Sequence, residues 1–388
     1  MHMKWPKPLL TIILLPLYFL LFNILFLSCQ PSSKNNSTKS MNFLLDTVQT
    51  SNINPVCKVK YLPLEVTDNS LIGSIDKILY QNKHFYILDK SANMGVLIFN
   101  ENGKFIKSLY KLGEGPGEYI APIDFDVDAT GNIYIADNAR QKIIRYNAND
   151  FEKYDEMELG CYFMEFAVID EEHIIISEIY DQGRIKDKLA VYSRKDGKIQ
   201  SLLKSTLKEI DEQKVPRGSS HYLYRSGDKV YFYQRFTPEI YILNGKTISL
   251  MANILSDKYF KEVELKTLEG NPQSFMTDMK HIKDINAFYE TADGYFCSLS
   301  TFPLPQFLGI SKTGNNIYNL NLIKEDRLLG NLIINGVAGN YLICTSDYNE
   351  ETVNAALKIN GLDENTAQMF ANWNEDSNPL LILFQLQH

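Results

Sequence analysis

Apolar and polar residues alternate along this chain in short runs, and the arrangement of runs recurs. Residues 75–109 (IDKILYQNKHFYILDKSANMGVLIFNENGKFIKSL) align with residues 123–157 (IDFDVDATGNIYIADNARQKIIRYNANDFEKYDEM). Each stretch contains four short runs of strand type separated by polar turns, and the second run ends in Asp89 or Asp137. We expect these two aspartates to be turn formers that bond backbone amides, rather than acids or metal ligands. Strands of this length joined by tight turns predict a four-stranded antiparallel sheet, which is the repeating unit of a β-propeller.

Weaker copies of the unit follow at residues 163–203, 222–250 and 285–320, and a sixth begins at residue 332. Its third strand is predicted at residues 379–386, which leaves that unit one strand short. Residues 59–66 (VKYLPLEV) belong to no unit and can supply the missing outer strand, so that no sheet edge stays free. The pattern therefore predicts an all-β fold, a six-bladed β-propeller of four-stranded antiparallel blades that is closed by the N-terminal strand.

The second strands of the units are nearly continuous apolar runs, at residues 85–88, 133–136 and 174–176. Such runs are typical of strands covered on both faces, as they are between neighbouring blades. The helical patterns that an α/β fold requires between strands do not occur in the first two units.

The N-terminus predicts export and a lipid anchor. Lys4 and Lys7 precede an apolar run at residues 9–27, and Ser28 and Cys29 follow directly. This layout is that of a secretory signal and resembles a bacterial lipobox, with Cys29 as the lipid-modified residue. An uncleaved transmembrane anchor is the alternative, since the run is long enough to span a bilayer.

Three regions follow from this assignment: a signal peptide at 1–28, a Ser/Asn-rich flexible tether at 29–54 and the propeller at 55–388. The expected location is the cell envelope, anchored to the outer or inner membrane, with the propeller periplasmic or surface-exposed.

Composition excludes some function classes. The net charge is -8 over 388 residues, which argues against a nucleic-acid partner because such proteins need basic surfaces to neutralise phosphates. Cys57, Cys161, Cys297 and Cys344 are widely spaced, without the paired spacing of a zinc or redox motif. We expect them to be buried free thiols, although an exported protein can also form disulfides.

Residues 113–147 (GEGPGEYIAPIDFDVDATGNIYIADNARQKIIRYN) closely resemble the NHL repeat. The mature chain as a whole resembles the six-bladed β-propeller lipoproteins of Gram-negative bacteria, an NHL/TolB-like group, and Asn378-Pro379 fits the ending of that group. The resemblance implies the fold. Because blades four to six depart from the NHL pattern, it implies no function, and the RNA binding of some NHL domains is disfavoured by charge and compartment.

The longest insertions fall on one face of the predicted propeller, where loops on a rigid scaffold usually carry function. Two of them, 349–359 and 364–372, have helical patterns and predict a helical insertion in the last blade, forming a lid or a plug for the central funnel. The candidate ligand-binding residues on this face are Glu114, Glu118, Tyr119, Arg184, Arg217, His221, Arg235 and His281.

Recognisable catalytic chemistry is sparse. His221 and His281 stand on separate loops without the spacing of a metal motif, and no nucleophile elbow occurs. The glycine-rich segment GEGPGEY lacks the lysine and hydroxyl residue of a phosphate loop, and we expect its glycines to allow a positive-φ turn between blades. The three arginines of the candidate face could hold an anionic ligand through bidentate hydrogen bonds. We expect no metal and no cofactor.

These observations favour a non-enzymatic, membrane-anchored lipoprotein that binds a protein, peptide or glycan of the envelope. The alternative is a metal-assisted hydrolase or lyase with its site in the central funnel.

Replacing Cys29 with alanine tests the anchor. We expect Cys29→Ala to release the folded propeller into the soluble fraction, because the lipid is its only predicted attachment to the membrane. Fractionation followed by immunoblotting measures this. Retention of Cys29→Ala in the membrane would instead favour the uncleaved anchor.

Overall fold

The computed structural model describes residues 40–45, 49–50, 56–205, 207, 210–216, 221–313, 317–320, 333–358 and 362–386. Cys29, the signal peptide and Arg217 lie outside these ranges. Three short strands come first: β1 (Met41–Leu44), β2 (Gln49–Thr50) and β3 (Val56–Pro63).

Six antiparallel blades follow around a ring. Blade one contains β4 (Lys77–Gln81), β5 (His84–Asp89), β6 (Gly95–Asn100) and β7 (Phe105–Leu109). Blade two contains β8 (Pro122–Val127), β9 (Ile133–Asp137), β10 (Lys142–Tyr146) and β11 (Tyr154–Glu158). Blade three contains β12 (Glu165–Val168), β13 (His173–Asp181), β14 (Arg184–Ser193) and β15 (Lys198–Leu203).

Blade four contains β16 (Leu223–Ser226), β17 (Lys229–Tyr233), β18 (Glu239–Asn244) and β19 (Thr247–Leu255). Blade five contains β20 (Asp284–Glu290), β21 (Gly294–Ser300), β22 (Gln306–Ser311) and β23 (Ile317–Asn319). Blade six has β24 (Ile334–Ala338), β25 (Tyr341–Ser346) and β26 (Leu380–Leu386), and its outer strand is β3. The six-bladed fold predicted from the sequence is confirmed.

The ring closes where β3 pairs antiparallel with β26, with Leu62 opposite Leu381 and Tyr61 opposite Ile382. The N-terminal closing strand is thus confirmed, three residues earlier in the chain than predicted. Asn378 stabilises the same closure by binding the connection that follows β3. Its Oδ1 accepts a hydrogen bond from the Ile72 amide at 2.8 Å, and its Nδ2 donates to the carbonyl oxygens of Glu65 and Ser70. Because Asn378 is 2% exposed, these bonds are protected from water.

Neighbouring blades bury their apolar side chains against each other. One cluster joins blades one and two around Tyr86, Phe125 and Ile135, and another joins blades six and one around Ile78, Phe85 and Ile343. The second strands β5, β9 and β13 are buried along nearly their whole length. Their continuous apolar runs therefore have the predicted cause, cover on both faces.

Asp89 and Asp137 anchor the turns that follow the second strands, as predicted. Asp89 accepts hydrogen bonds from the amides of Ser91 and Ala92, and also from Gly73 in the preceding connection. Burial alone would raise the pKa of Asp89, but these hydrogen bonds lower it to about 2. Asp137 likewise accepts from the amides of Ala139 and Ile120, so each aspartate ties a turn to the connection between blades.

Part of the predicted tether belongs to the folded domain, which corrects the predicted start at residue 55. β1 pairs parallel with β19 of blade four, and β2 pairs parallel with β23 of blade five. Phe43 is 2% exposed and joins the core of the later blades. The chain therefore runs along blades four and five before it completes blade six. Burial of Phe43 explains the pairing, and the short apolar run at residues 41–45 (MNFLL) was the local signal for it.

Four α-helices occur in the described residues, in two insertions. α1 (Glu262–Leu268) and α2 (Pro272–Met276) lie between blades four and five, where no helix was predicted. They have their own small core, built from Phe236, Phe260, Leu265 and Phe275. α3 (Glu350–Ala356) and α4 (Glu364–Asn372) lie in blade six as predicted.

The last two helices pack their apolar residues into the core beside blade six. Phe370 of α4 is fully buried and packs edge-on against Tyr61 of β3, with ring centroids 4.9 Å apart. Ala356 of α3 is also fully buried in the same core. The apolar faces of both helices are thus used to cover blade six.

Phe43 tests the contribution of the N-terminal strands. Phe43→Ala should lower the free energy of unfolding by about 3–5 kcal/mol, because it empties a buried aromatic site. Its neighbour Leu44 is 53% exposed, and Leu44→Ala should change that free energy by no more than about 0.5 kcal/mol. Urea unfolding measures both, and equal effects would show that β1 does not contribute to the core.

Candidate functional site

The inner strands of the blades surround a central cavity of about 270 Å³, which we call the channel. Charged residues from three blades line it: Lys77 of β4 with Asp76 just before it, Asp126 of β8, and Arg225 of β16. His221, just before β16, lies at its wall as well. Apolar and aromatic residues fill the spaces between them. The cavity therefore combines an apolar wall with a small set of charged groups, as ligand pockets do.

Lys77 and Asp124 form the first ion pair of the channel. The Lys77 Nζ lies 2.7 Å from Asp124 Oδ1 and donates to the Phe125 carbonyl oxygen at 2.9 Å. Asp124 Oδ2 accepts from the amide of Phe166, on the inner strand of the next blade, at 3.0 Å. Burial alone would lower the pKa of Lys77, but the charges of Asp124 and Asp126 raise it. Lys77 therefore stays charged inside the channel.

Arg225 and Asp126 form the second pair. The Arg225 Nε donates to Asp126 Oδ1 at 3.0 Å, and one terminal nitrogen donates to Asp126 Oδ2 and to the Val168 carbonyl oxygen. Asp126 Oδ2 also accepts from the Val168 amide at 2.7 Å. Arg225 thus extends from blade four, past blade three, to a carboxylate of blade two.

His221 and Glu165 form the third pair. The His221 Nδ1 lies 2.7 Å from Glu165 Oε1, and Glu165 Oε2 accepts from the Tyr222 amide at 2.8 Å. Burial alone would lower the pKa of His221, but the hydrogen bond and charge of Glu165 raise it above its ordinary value. A histidine oriented by a carboxylate can take up or release a proton near neutral pH.

In each of the three pairs, the basic side chain is more exposed than the acidic one. The side chains of Lys77, Arg225 and His221 are 14%, 13% and 35% exposed, whereas those of Asp124, Asp126 and Glu165 are 3%, 3% and 5% exposed. Each carboxylate is therefore less exposed than its basic partner and bonds a backbone amide of the next blade. The basic side chains are the more accessible members of the pairs, while the acids join the blades.

Of the residues predicted for the binding face, His221 lies at this cavity, and Arg217 falls outside the described residues. The glycine-rich segment contributes none. Tyr119 is fully buried between blades one and two, where it accepts a hydrogen bond from the Lys111 amide. Glu118 bends back to accept from the Gly115 amide at 2.7 Å, and Glu114 is exposed.

The glycines of this segment have a conformational role, as predicted. Gly117 adopts a φ of +70°, and a Cβ there would lie 2.6 Å from the Tyr154 ring. The Gly115 amide is taken by Glu118. The segment is therefore a turn between blades in which the Glu118 carboxylate accepts a hydrogen bond from the backbone of the same turn.

The remaining predicted residues lie away from the cavity. Arg184 is exposed at the tip of the β13–β14 hairpin. Arg235 is 2% exposed and donates to the carbonyl oxygens of Glu212, Val215 and Pro216. His281 stacks on Phe260 with centroids 4.3 Å apart, and its Nδ1 lies 3.1 Å from Asp278. Arg235 and His281 thus stabilise the segments around blade four.

Sequence reasoning missed Lys77, Asp126 and Arg225, which line the cavity. It also missed Asp124 and Glu165, which hold Lys77 and His221. The signal was a charge within an inner strand that is otherwise apolar, as in DFDV, EFAV and LYRS. The prediction placed the site on the long loops instead, although the inner strands of a propeller face its axis.

Across the described ranges, His, Cys, Asp and Glu side chains do not gather in groups of three or more that could hold a metal ion. In the same part of the chain, no helix has both the length and the apolar character needed to cross a membrane.

Cys297 and Cys344 are buried free thiols whose pKa values are raised by burial, and Cys161 is a half-buried free thiol.

The His221–Glu165 pair predicts a pH dependence of stability. Because the folded protein raises the pKa of His221 above the unfolded value of about 6.5, its contribution is complete below that pH. It is lost as the pH rises through the folded pKa. Urea unfolding of the wild type and of His221→Gln should therefore differ most in acid and converge as the pH rises.

Glu165→Gln should lower the pKa of His221, which NMR titration of the ring protons measures. His84→Gln, at an exposed histidine on blade one, is the matched control and should leave that titration unchanged. An unaltered His221 titration in Glu165→Gln would contradict the assigned cause.

Comparison with solved structures gives the same fold. A protein of Bacteroides fragilis NCTC 9343 that is inferred to be exported superposes with a TM-score of 0.72 at 21% identity, covering 90% of this chain and 99% of its own. Virginiamycin B lyase from Staphylococcus aureus reaches a TM-score of only 0.39 at 14% identity, with 74% and 81% covered. The first likeness shows the propeller fold, and the second is too distant to support an argument.

No curated protein matches the chain significantly. A family model described as a domain of unknown function (DUF4934) matches residues 45–385. The match spans all six blades and begins within the segment that contains β1 and β2. The chain therefore belongs to the DUF4934 family.

Proposed function

We propose that this protein is a cell-envelope lipoprotein, anchored through Cys29, whose propeller binds a protein partner without catalysing a reaction. The binding surface would be the loop face, which we define by two kinds of connection. These are the connections from the outer strand of one blade to the inner strand of the next, and those from the second to the third strand of a blade. In a four-stranded antiparallel blade, both kinds emerge on the same side of the ring.

The distribution of exposed apolar side chains carries this proposal. Apart from Leu44, Ile106 and Tyr154, which lie in strands, every exposed large apolar residue of the described chain belongs to a connection of the loop face. These residues are Val66, Leu71, Tyr110, Leu112, Ile120, Tyr162, Met164, Val263, Met276, Met279, Phe302, Leu304, Ile333 and Leu357. Single exposed apolar residues are common on any protein, but a one-sided concentration is typical of an interaction surface.

The opposite face has a different character. Its described turns consist mainly of Asn, Asp, Gly, Lys and Glu residues, such as Asn82-Lys83 and Gly245-Lys246. Aromatic residues and methionine are favoured in protein–protein interfaces, and the loop face exposes Tyr110, Tyr162 and Met279. The chemistry of the two faces therefore favours the loop face as the one that contacts a partner.

The direction of β1 is compatible with this arrangement. β1 is parallel to β19, which leads into a loop-face connection, so the N-terminal end of β1 points away from the loop face. An anchor attached through that end would leave the loop face accessible.

Photo-crosslinking in the native bacterium tests the proposal. A photoreactive amino acid at Tyr110, Tyr162 or Leu304 should form adducts with one and the same envelope protein, because these side chains are 57%, 53% and 56% exposed on the loop face. Ile106 is 47% exposed on a strand of blade one and is the matched control. Denaturing electrophoresis and mass spectrometry of the adducts measure the result.

Two outcomes would contradict the proposal. One is the same adduct at Ile106 as at the loop-face positions. The other is turnover of hydrolase or lyase substrates by the purified protein that disappears in His221→Gln. The second outcome would favour the enzyme, since His221 and Glu165 are the groups that could act as a general base in the channel.

A further inference from the structure

The central channel is a separate site, too small for a macromolecule. We propose that it binds a small oxyanion, a carboxylate or phosphate group on a compact apolar body, held by Lys77 and Arg225. This goes beyond the partner that we assign to the loop face, because it concerns a different surface and a different class of ligand.

Both basic side chains keep donors that the protein does not use. The Lys77 ammonium has three donors, and the structure gives it two acceptors, Asp124 and the Phe125 carbonyl oxygen. Arg225 uses its Nε and one terminal nitrogen. Its other terminal nitrogen has no acceptor among the described residues. Arginine donors of this kind recognise carboxylate and phosphate groups.

The two basic groups lie within reach of one ligand. They are held by Asp124 and Asp126, which are two residues apart on β8 and hence about 7 Å apart along the strand. Lys77 and Arg225 come from blades one and four, on opposite sides of the ring, and both extend to blade two. Both side chains also line the same cavity.

A cationic ligand fits this channel poorly, because its acids are already engaged. Both oxygens of Asp124, Asp126 and Glu165 have partners, and one oxygen of each accepts from a backbone amide of the following blade. Turning such an oxygen towards a cation would break the bond that joins two blades. Asp76 and Asp126 line the cavity as well. Asp76 accepts from the Ser74 hydroxyl and the Lys90 amide, and Asp126 holds Arg225. Because these acids are engaged, the unused donors of Lys77 and Arg225 favour an anion.

The walls of the channel set the body of the ligand. Ile78, Phe166, Val230, Ile334 and Val337 line it together with Tyr224 and Tyr289. Apolar walls with a few convergent polar groups are typical of small-molecule pockets. A cavity of about 270 Å³ admits a short chain or one ring, and excludes a peptide or a glycan chain.

Titration calorimetry on the full-length protein tests the site with four probes: hexanoate, inorganic phosphate, hexanamide and hexylamine. We expect saturable binding with one site per chain for hexanoate, for phosphate or for both. The neutral amide and the amine should give no saturable heat, although hexanamide matches hexanoate in shape. The relative affinity of hexanoate and phosphate distinguishes a carboxylate ligand from a phosphate ligand.

Variants assign the heat to the channel. Arg225→Gln should weaken binding about tenfold or more, since a hydrogen bond to a charged group contributes that much. Arg225→Lys retains the charge but removes the second terminal nitrogen of the guanidinium group, so it should also weaken binding. This variant covers the case in which Arg225→Gln fails to fold. Arg145→Gln is the matched control, because Arg145 forms an ion pair with Asp155 at 3.0 Å in blade two, away from the cavity lining.

Circular dichroism establishes that each variant is folded before titration. No saturable heat with either anion would overturn the proposal, as would tighter binding of hexylamine than of hexanoate. Equal weakening by Arg145→Gln and by the folded Arg225 variants would overturn it too.

Discussion

Closure of the ring by non-covalent pairing between the two ends of the chain is the constraint on which the structure depends. Every blade is apolar on both faces, so each needs two neighbours, and only a closed ring gives this to all six. The last blade takes β3 as its outer strand, and Asn378 fastens the connection that follows β3. Gly336 permits the first and last inner strands to approach, since a Cβ there would lie 3.2 Å from the Ile78 carbonyl oxygen.

The same convergence of strands creates the channel and its charges. The inner strands place charged side chains around the axis, and a buried charge must be paired. Asp124, Asp126 and Glu165 meet this need twice, by accepting from amides of the following blade and by holding Lys77, Arg225 and His221. Structural acids therefore determine where the basic groups of the site lie. A change to any of these acids will affect assembly of the blades as well as the channel.

The molecule offers two surfaces of different chemistry. The loop face is broad and exposes aromatic and aliphatic side chains, which suits a macromolecular partner. The channel is narrow and lined by donors above an apolar wall, which suits a small ligand. They are joined at His221, which precedes β16 on the loop side and lines the cavity. A proton on His221 changes the charge of the channel and thereby links it to the pH of its surroundings.

The sequence by itself determined the blades, their number and the strand that closes them, because alternation and turn chemistry act over a few residues and repeat. It also indicated the helices of blade six and the anchoring roles of Asp89 and Asp137. The pairing of β1 and β2 with blades four and five was missed, since an apolar run of only five residues (41–45) next to a polar segment does not indicate which blade it joins. Only the tertiary structure decided the site. Lys77, Arg225 and His221 come from different blades, and their convergence depends on the ring, which brings residues distant in sequence to one axis.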